Sequence, residues 1–442
     1  MPQPWHSKAM AHFLLCPFGS GGDVFPFIGI GRELRARGHR VTLVSMDTFE
    51  DAIRAAGLGY ASMGSKEEFD RFSQNPDLWK PIKGTLLVFK MAGEALRHYF
   101  DKLKSLIQPG EPTLIMAAGT VFGARLIREK LGVPLIVVHL QPAVFVSVYD
   151  TPVFLEGMDV MNKLPRWLKR LLLALPNPMD LGAGPAIRRA CKEEGVPPPR
   201  HVHPDWWHSP DGNVALFPEW FAGRQPDWPQ PLYQHTFPME DLAREATLSP
   251  ELERFLEADD KPLVFTPGTA NQNGREFFAA ALDACQRLGR RAIFATRHQP
   301  DLPPALPPTI IGVEYVPFSL LLPRAAALVY HGGIGTCSQA LAAGIPHLIM
   351  AMAHDQPDNA NRLRRLGVGD SLHPKQWTGD RIEAKLRRLL DDPNVASQCQ
   401  HCADLMREAP GLDKLAEWLE TQPRTTPLVS SPKIGNSSAV TA

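Results

Sequence analysis

The stretch AAALVYHGGIGTCSQALAAGIPHLIM, residues 325–350, sets the architecture of the chain. It begins with a short apolar run, passes through a turn with three glycines, and continues as a helical pattern that ends at Gly344. Short apolar runs on either side of a helix, joined by Gly-rich turns, are typical of a β-α-β unit with buried parallel strands. The stretch therefore predicts an α/β domain with strands at 325–330 and 347–350 and a helix at about 336–343.

The turn between the first strand and the helix has the composition of an anion-binding site. Gly332, Gly333 and Gly335 allow backbone N–H groups to approach a ligand, and the helix dipole adds partial positive charge there. His331 can donate a further hydrogen bond to a phosphate oxygen. The turn is therefore predicted to hold a diphosphate. An ordinary strand-to-helix turn of an α/β domain is the alternative interpretation.

Asp355 and Gln356 follow the second strand as two adjacent polar residues that can bind neighbouring hydroxyl groups, as on a sugar ring. With His331, the glycine turn and the Gly-Ile-Pro run at 344–346, this pair resembles the donor-binding signature of family 1 glycosyltransferases. The resemblance covers about residues 12–410. It implies the GT-B fold, an α/β architecture of two Rossmann-like domains that face each other across a cleft. It also implies transfer of a sugar from a nucleotide diphosphate.

A second β-α-β unit opens the chain, with predicted strands at 12–17 and 41–45 around a helix at 24–37. Asp23 ends its Gly-rich loop and stands three residues before Pro26, where plant members of the family carry a catalytic His in a GHxxP pattern. The resemblance implies that Asp23 is the general base. An ordinary aspartate pKa of about 4 would leave it ionised at neutral pH. Asp23 could instead serve only as the N-cap of the helix.

The resemblance implies a donor site that draws on both domains. Tyr315 stands where plant members have the Trp that stacks on the nucleobase, and Phe318 replaces the Gln that bonds to its edge. Gln339 replaces the Glu that binds the ribose hydroxyls, which permits deoxythymidine as well as uridine. Catalytic His331 and the glycine turn are expected to neutralise the leaving group, so no metal or cofactor is predicted beyond the nucleotide sugar. The predicted donor contacts are Gly21, Gly22, Thr269, Tyr315, Val316, His331, Gly332, Gly333, Gly335, Thr336, Gln339, Asp355 and Gln356.

Within the family, the run at 19–41 is most similar to rhamnolipid-type rhamnosyltransferases, which are related to sterol and glycopeptide glycosyltransferases. This resemblance implies inverting transfer of rhamnose from dTDP-rhamnose to a hydroxyl of a hydrophobic or lipid acceptor, such as a hydroxyalkanoyloxy-alkanoate. His139, Gln141 and Phe145 follow a predicted strand at 135–138 and are expected to line the acceptor pocket. Three alternatives stay open: a UDP-glucose-dependent glucosyltransferase acting on a small apolar alcohol, a non-catalytic partner protein with the same fold, and a sugar-nucleotide 2-epimerase.

The length of 442 residues suits two domains of about 200 residues, each with its own core. Lys and Arg together number 47, as do Asp and Glu, so no general attraction to nucleic acid is predicted. Six cysteines are too few for a disulfide scaffold in a chain of this length, and they suit a reducing cytoplasm. The predicted boundaries are a disordered tail at 1–11, an acceptor-binding domain at 12–224, a Pro-rich linker at 225–240, a donor-binding domain at 241–421 and a disordered tail at 422–442.

Two further segments allow more than one interpretation. No run of 18 or more apolar residues occurs, so no membrane span is predicted and a cytoplasmic location is expected. The segment KLPRWLKRLLLAL, residues 163–175, is apolar on one side and basic on the other. It could contact the surface of the inner membrane peripherally, cover an apolar acceptor groove, or pack in the core with its bases reaching solvent. Cys399 and Cys402 have metal-type spacing, but no second pair stands near them, so no metal site is predicted.

Overall fold

Two parallel β-sheets, each with helices packed against it, form the body of the protein. The computed structural model describes residues 10–155, 157–175, 177–240, 247–268 and 274–422. The strands of the first sheet are β1 (His12–Cys16), β2 (Arg40–Ser45), β3 (Gly59–Ser62), β4 (Thr113–Ala118), β5 (Leu135–His139), β6 (Asn213–Ala215) and β7 (Leu232–Gln234). Those of the second sheet are β8 (Leu263–Thr266), β9 (Ala292–Ala295), β10 (Ile310–Val313), β11 (Ala327–Tyr330), β12 (His347–Ile349) and β13 (Gly369–Ser371).

The helices lie between the strands in sequence, as in a doubly wound α/β fold. Those of the first half are α1 (Gly21–Ala36), α2 (Glu50–Ala55), α3 (Lys66–Ser73), α4 (Pro81–Leu106), α5 (Phe122–Leu131), α6 (Arg166–Leu173), α7 (Pro178–Gly182) and α8 (Gly184–Glu194). Those of the second half are α9 (Pro250–Leu256), α10 (Arg275–Leu288), α11 (Phe318–Leu321), α12 (Ile334–Ala343), α13 (Gln356–Leu366), α14 (Gly379–Asp391), α15 (Pro393–Arg407) and α16 (Leu412–Glu420).

The strand orders place a topological switch point in each sheet. They are β3-β2-β1-β4-β5-β6-β7 and β10-β9-β8-β11-β12-β13, so the order reverses beside β1 and beside β8. Every residue of β1 and of β11 is buried, as expected for parallel strands covered on both faces. In open α/β sheets, ligands bind at the carboxyl ends of the strands near such switch points. A ligand site is therefore expected at the loops that follow β1, β8 and β11.

The strands predicted from apolar runs are present within one or two residues at each end. Three short strands were missed, namely β3, β7 and β13, because their sequences GYAS, LYQ and GDS lack an apolar run. The second of these, β7, lies inside the predicted linker at 225–240 and pairs with β6. This pairing keeps the chain in the first sheet until Gln234. The predicted tails at 1–11 and 422–442 fall almost entirely outside the described residues.

The last helix of the chain returns to the first domain. Leu415 and Leu419 of α16 are buried in the same core cluster as Leu34 of α1. The ring of Trp418 stacks on Tyr233 of β7 with 4.7 Å between centroids. The carboxyl end of the second half therefore packs against the first sheet and ties the two domains together.

Candidate active site

Asp23 lies in the first turn of α1, directly after β1. The backbone N–H and the hydroxyl of Ser20 both donate to its Oδ2, at 2.7 and 3.2 Å. Ser20 is the N-cap residue of α1, and Asp23 follows three positions later as the acidic residue of a capping box. The interpretation of Asp23 as the N-cap was therefore wrong in position, although its carboxylate does bind the backbone at the start of the helix. Asp23 is itself partly exposed.

The environment of Asp23 changes its acidity from the value expected at the sequence level. Burial in the cleft raises the pKa of this carboxyl to about 6, and the hydrogen bonds from Ser20 oppose that rise. The ordinary value of about 4 was therefore too low, because spacing along the chain carries no information about desolvation. A carboxyl with a pKa of about 6 is still mainly ionised at pH 7 and is a stronger base than an exposed aspartate.

The imidazole of His331, after β11, sits between two glycines. A Cβ added at Gly268 would lie 2.6 Å from its Cε1, and one added at Gly333 would lie 2.5 Å from its Nε2. Neither position can carry a side chain without displacing the ring. Burial lowers the pKa of His331 to about 4, so the ring is neutral and offers one N–H donor. Its Nδ1 is buried, and no protein atom in the described part of the chain bonds to it.

The N-terminus of α12 faces the N-terminus of α1. Gly333 occupies the N-cap position of α12, and no side chain in the described ranges caps this helix, so its first-turn backbone N–H groups have no capping acceptor there. A Cβ added at Gly335 would meet Gly22 of α1 at 3.9 Å. The positive ends of two helix dipoles thus converge on one point of the cleft. Together with the unbonded nitrogen of His331, they form a site suited to a diphosphate.

Asp355 immediately precedes the next helix, α13. Its side chain is held by Asn359, a residue that the sequence analysis did not single out. The side-chain amide of Asn359 donates to Asp355 Oδ2 at 2.7 Å and to the carbonyl oxygen of Gly332 at 2.9 Å. It therefore fixes the carboxylate relative to the glycine turn. Burial raises the pKa of Asp355 to about 7, and the negative charge of Asp23 across the cleft adds to the rise. The only signal for Asn359 in the sequence is an amide residue four positions after the acidic residue at the start of a predicted helix.

Gln356 has one of its two polar atoms engaged within the protein. Its amide oxygen accepts from the backbone N–H groups of Met352 and Ala353, at 2.7 and 3.1 Å. Its amide nitrogen is the group that remains for a sugar hydroxyl.

The predicted nucleobase contact lies at the carboxyl end of β10. The ring of Tyr315 is 48% exposed, and the guanidinium of Arg297, after β9, lies 5.1 Å from its centroid. Val316 and Gln339 are buried, the latter on the inner side of α12. Thr269 falls outside the described residues. Arg297 was not singled out in the sequence, since a lone Arg after a strand carries no motif.

Two family models match the chain. Residues 13–149 match the glycosyltransferase family 28 N-terminal domain, and residues 280–421 match the erythromycin biosynthesis protein CIII-like C-terminal domain. The chain is a glycosyltransferase, and its last third is similar to this CIII-like domain.

The similarity to individual glycosyltransferases extends over nearly the whole chain. The O-mycaminosyltylonolide 6-deoxyallosyltransferase of Streptomyces fradiae is 27% identical and aligns over 93% of this chain and 98% of its own length. Glycosyltransferase GtfE of Amycolatopsis orientalis is 26% identical over 85% of this chain and 90% of its own.

Solved structures confirm the predicted fold. The kitacinnamycin glycosyltransferase superposes with a TM-score of 0.71 at 20% identity, covering 94% of this chain and 100% of that one. The calicheamicin glycosyltransferase superposes with a TM-score of 0.67 at 22% identity, covering 93% and 98%. The glycosyltransferase therefore has the GT-B fold, with two Rossmann-like domains.

On the acceptor side of this glycosyltransferase, two predicted residues are buried in an aromatic cluster. His139 and Phe145 are 3% and 1% exposed. His139 Nε2 lies 3.0 Å from Nδ1 of His208, and Phe145 stacks on Trp228 with 4.7 Å between centroids. Both side chains are therefore packed inside the first domain and do not line an open pocket. Gln141, which lies between them in the sequence, is partly exposed.

The loop that carries Asp355 contacts the first domain directly. His354 has a φ of 62°, an uncommon value for a residue other than glycine, and thus a locally strained backbone. Its ring meets Trp79 of the first domain edge-on, with 6.0 Å between centroids. This contact holds the loop before α13 against the first domain.

A buried ion network, which we call the interdomain clamp, holds α13 to the loop at 147–153. Asp358 Oδ1 accepts from the backbone N–H of Val153 at 3.0 Å, and its Oδ2 pairs with Arg362 Nε at 2.7 Å. Arg362 also reaches Asp150 across the cleft at 3.1 Å. Exposed Arg365 makes a second ion pair with Asp150 at 3.0 Å. The clamp begins three residues after Asp355 and thus fixes the start of α13 against the first domain.

Metal ligation has no support among the described residues, where no group of three or more His, Cys, Asp or Glu could hold an ion. Cys399 and Cys402 are both buried on α15 as free thiols.

Proposed function

We propose that this glycosyltransferase moves a 6-deoxyhexose, with rhamnose as the first candidate, from its dTDP derivative to a hydroxyl of a hydrophobic acceptor, with inversion. The observation that carries the proposal is the convergence of three groups in one cleft. The Asp23 carboxylate lies at one helix N-terminus, and the uncapped N-terminus of α12 with the buried Nδ1 of His331 lies opposite.

The chemistry of this arrangement is a single in-line displacement. Asp23 takes the proton from the acceptor hydroxyl as its oxygen attacks the anomeric carbon. The bond from that carbon to the diphosphate breaks, and the electron pair leaves on the diphosphate oxygen. The N–H groups of α12 and the N–H of His331 stabilise the departing charge, which is the role of preorganised donors. Attack from the face opposite the leaving group inverts the anomeric carbon.

Three features support a deoxysugar on a thymidine nucleotide. Gln339 replaces an acidic ribose ligand with a neutral amide, which does not demand a 2′-hydroxyl. The Streptomyces fradiae relative at 27% identity is named as a 6-deoxyallosyltransferase. The similarity of the first loop to rhamnolipid-type enzymes makes rhamnose the first sugar to test. On the sugar side, we assign hydroxyl contacts to Asp355 and to the amide nitrogen of Gln356.

For the acceptor, we propose the hydroxyl of a large apolar molecule, either a natural-product aglycone or a hydroxyalkanoyl lipid. The relative's name designates a tylonolide derivative as its acceptor. In this chain, Gln141 is the predicted acceptor residue with an accessible side chain, whereas His139 and Phe145 shape the pocket from behind. UDP-glucose with a small apolar alcohol is the competing assignment.

The test is a donor and acceptor matrix with the purified full-length chain. dTDP-rhamnose and UDP-glucose are each combined with a macrolide aglycone, a hydroxyalkanoyloxy-alkanoate and a small aromatic alcohol, and products are identified by mass. Rhamnosyl transfer to a large apolar acceptor, with an inverted anomeric centre by NMR, is the expected result. Transfer from UDP-glucose alone would overturn the donor assignment, and retention of configuration would overturn the mechanism.

A further inference from the structure

Helix α6 exposes apolar side chains and buries a lysine, which is the reverse of an ordinary surface helix. Trp167 and Leu171 of α6 stand four residues apart and share one face, and Leu175 follows just after the helix. These three side chains are 63%, 60% and 60% exposed. Lys169, which points away from that face, is only 2% exposed. A surface helix normally buries its apolar stripe and exposes its lysines. We call the exposed stripe of these three apolar side chains the α6 face.

Two other helices in the chain also expose apolar side chains. Leu181 on α7 is 63% exposed, and Ile82 on α4 is 65% exposed. These two helices are in contact, since a Cβ added at Gly182 would lie 3.0 Å from the carbonyl oxygen of Leu86. Large exposed apolar side chains that occur together mark interaction sites on globular proteins.

Basic side chains surround this surface. Lys163, Arg166 and Arg170 are exposed beside the α6 face, and Lys83 is exposed beside Ile82 on α4. The chain as a whole has a formal charge of zero. The group of basic side chains near α6 is therefore a local feature and does not reflect a basic overall composition. An apolar stripe that contains Trp and is bordered by bases matches a helix that lies in the headgroup layer of an anionic lipid surface.

We propose that the α6 face and the adjoining part of α4 and α7 bind an anionic lipid surface. No described helix is long and apolar enough to cross a membrane, so the contact is peripheral. The guanidinium of Arg166 lies 4.3 Å from the ring centroid of Tyr149, which precedes Asp150 of the interdomain clamp. The lipid contact therefore lies next to the acceptor side of the enzyme. It requires neither the proposed donor nor the proposed acceptor.

Vesicle sedimentation with the full-length chain tests this proposal. We expect binding to vesicles that contain phosphatidylglycerol, weaker binding to pure phosphatidylcholine, and loss of the difference at about 0.5 M NaCl. The double variant Trp167→Ser, Leu171→Ser should bind anionic vesicles at least about tenfold more weakly. Leu131→Ser is the matched control, because Leu131 is an exposed leucine beside a lysine on α5, and it should bind like the wild type.

Fluorescence quenching by brominated acyl chains provides a second readout. Among the described tryptophans, Trp167 is the one with an exposed side chain. We expect brominated anionic vesicles to quench the wild type, and Trp167→Phe to lose most of that quenching while it still sediments with the vesicles.

Equal binding by the double variant, or no preference for anionic vesicles, would overturn the proposal. Concentration-dependent self-association that disappears in the double variant, without lipid binding, would assign the α6 face to a second copy of the chain and also overturn it. Asp23→Asn should bind vesicles like the wild type even where it abolishes transfer. Failure of the lipid proposal is therefore distinguishable from failure of the proposed function.

Discussion

The loops after β1 and after β11 have the same order of strand, glycine turn and helix, but they differ in the residues at the helix N-terminus. Each follows a fully buried strand, passes through glycines and opens a helix at the cleft. The first helix carries its own acceptor, since Asp23 bonds back to Ser20, whereas the second begins at Gly333 with no capping side chain among the described residues. The same backbone unit thus places a carboxylate at the helix N-terminus in one domain and a glycine at the helix N-terminus in the other.

Burial acts on both loops and suppresses charge in each. It raises the pKa of Asp23 to about 6 and lowers that of His331 to about 4. At neutral pH the carboxylate is still ionised, while the imidazole is neutral. In the proposed mechanism, the leaving group therefore meets helix dipoles and a neutral N–H donor, and neither forms a strong ion pair with Asp23 across the cleft.

Asp23→Asn tests the difference between the two loops and has the largest expected effect. The Asn side chain can still accept from Ser20 N–H but cannot take a proton, so turnover should fall by about 10²–10⁴-fold. dTDP binding, measured by calorimetry, should be retained, and the free energy of unfolding at pH 7 should not decrease. Unimpaired turnover would show that Asp23 is a cap and not a base. Asp23→Ala serves as the companion variant, since it should also lose about 1 kcal/mol of stability with the cap.

Arg362→Met tests whether the two loops depend on the interdomain clamp to face each other. The change leaves Asp358, 1% exposed, without its ion-pair partner, so we expect a loss of about 3–5 kcal/mol in the free energy of unfolding. Arg365→Met is the matched control, because exposed Arg365 pairs with the same Asp150 and should cost less than about 1 kcal/mol. Equal effects of the two variants in chemical denaturation would contradict the importance of burial.

Gly333→Ala addresses the anion-binding loop alone. The new methyl group would overlap the His331 ring at 2.5 Å, and the displaced imidazole should weaken dTDP binding by about 10–100-fold. The control is Gly223→Ala, where the nearest atom would lie at 3.7 Å and the affinity should not change. Calorimetric titration of dTDP gives both affinities. Wild-type affinity in Gly333→Ala would remove His331 from the diphosphate site.

The pH dependence should separate catalysis from stability. Because Asp23 has to be ionised, kcat/KM should fall about tenfold per pH unit below about pH 6. Since the folded-state pKa values of Asp23 and Asp355 are raised, their stabilising contribution is complete below about pH 4 and is lost as the pH rises to about 7. Asp355, with a pKa of about 7, is already mainly protonated where Asp23 titrates, so Asp355→Asn should leave the acidic limb of the rate profile in place. A limb that moves to lower pH would show that Asp355 is ionised in that range.

Local pattern was sufficient for most strands of the two parallel sheets and for the glycine turn with His331. The reason is that strand, turn and helix N-terminus follow one another within a few residues, so the spacing of apolar residues and the positions of glycines predict them. The family resemblance added the proposed roles of Asp23, Asp355 and Gln356.

Other features depend on contacts between residues that are distant in the sequence. The pairing of β7 inside a Pro-rich segment, the placing of Arg297 over Tyr315 and the interdomain clamp all join such residues. The raised pKa of Asp23 and the burial of His139 arise from desolvation by surrounding atoms that no local spacing specifies. For α6, the sequence showed an amphipathic helix, but which face meets solvent is set by how the folded domain packs against it.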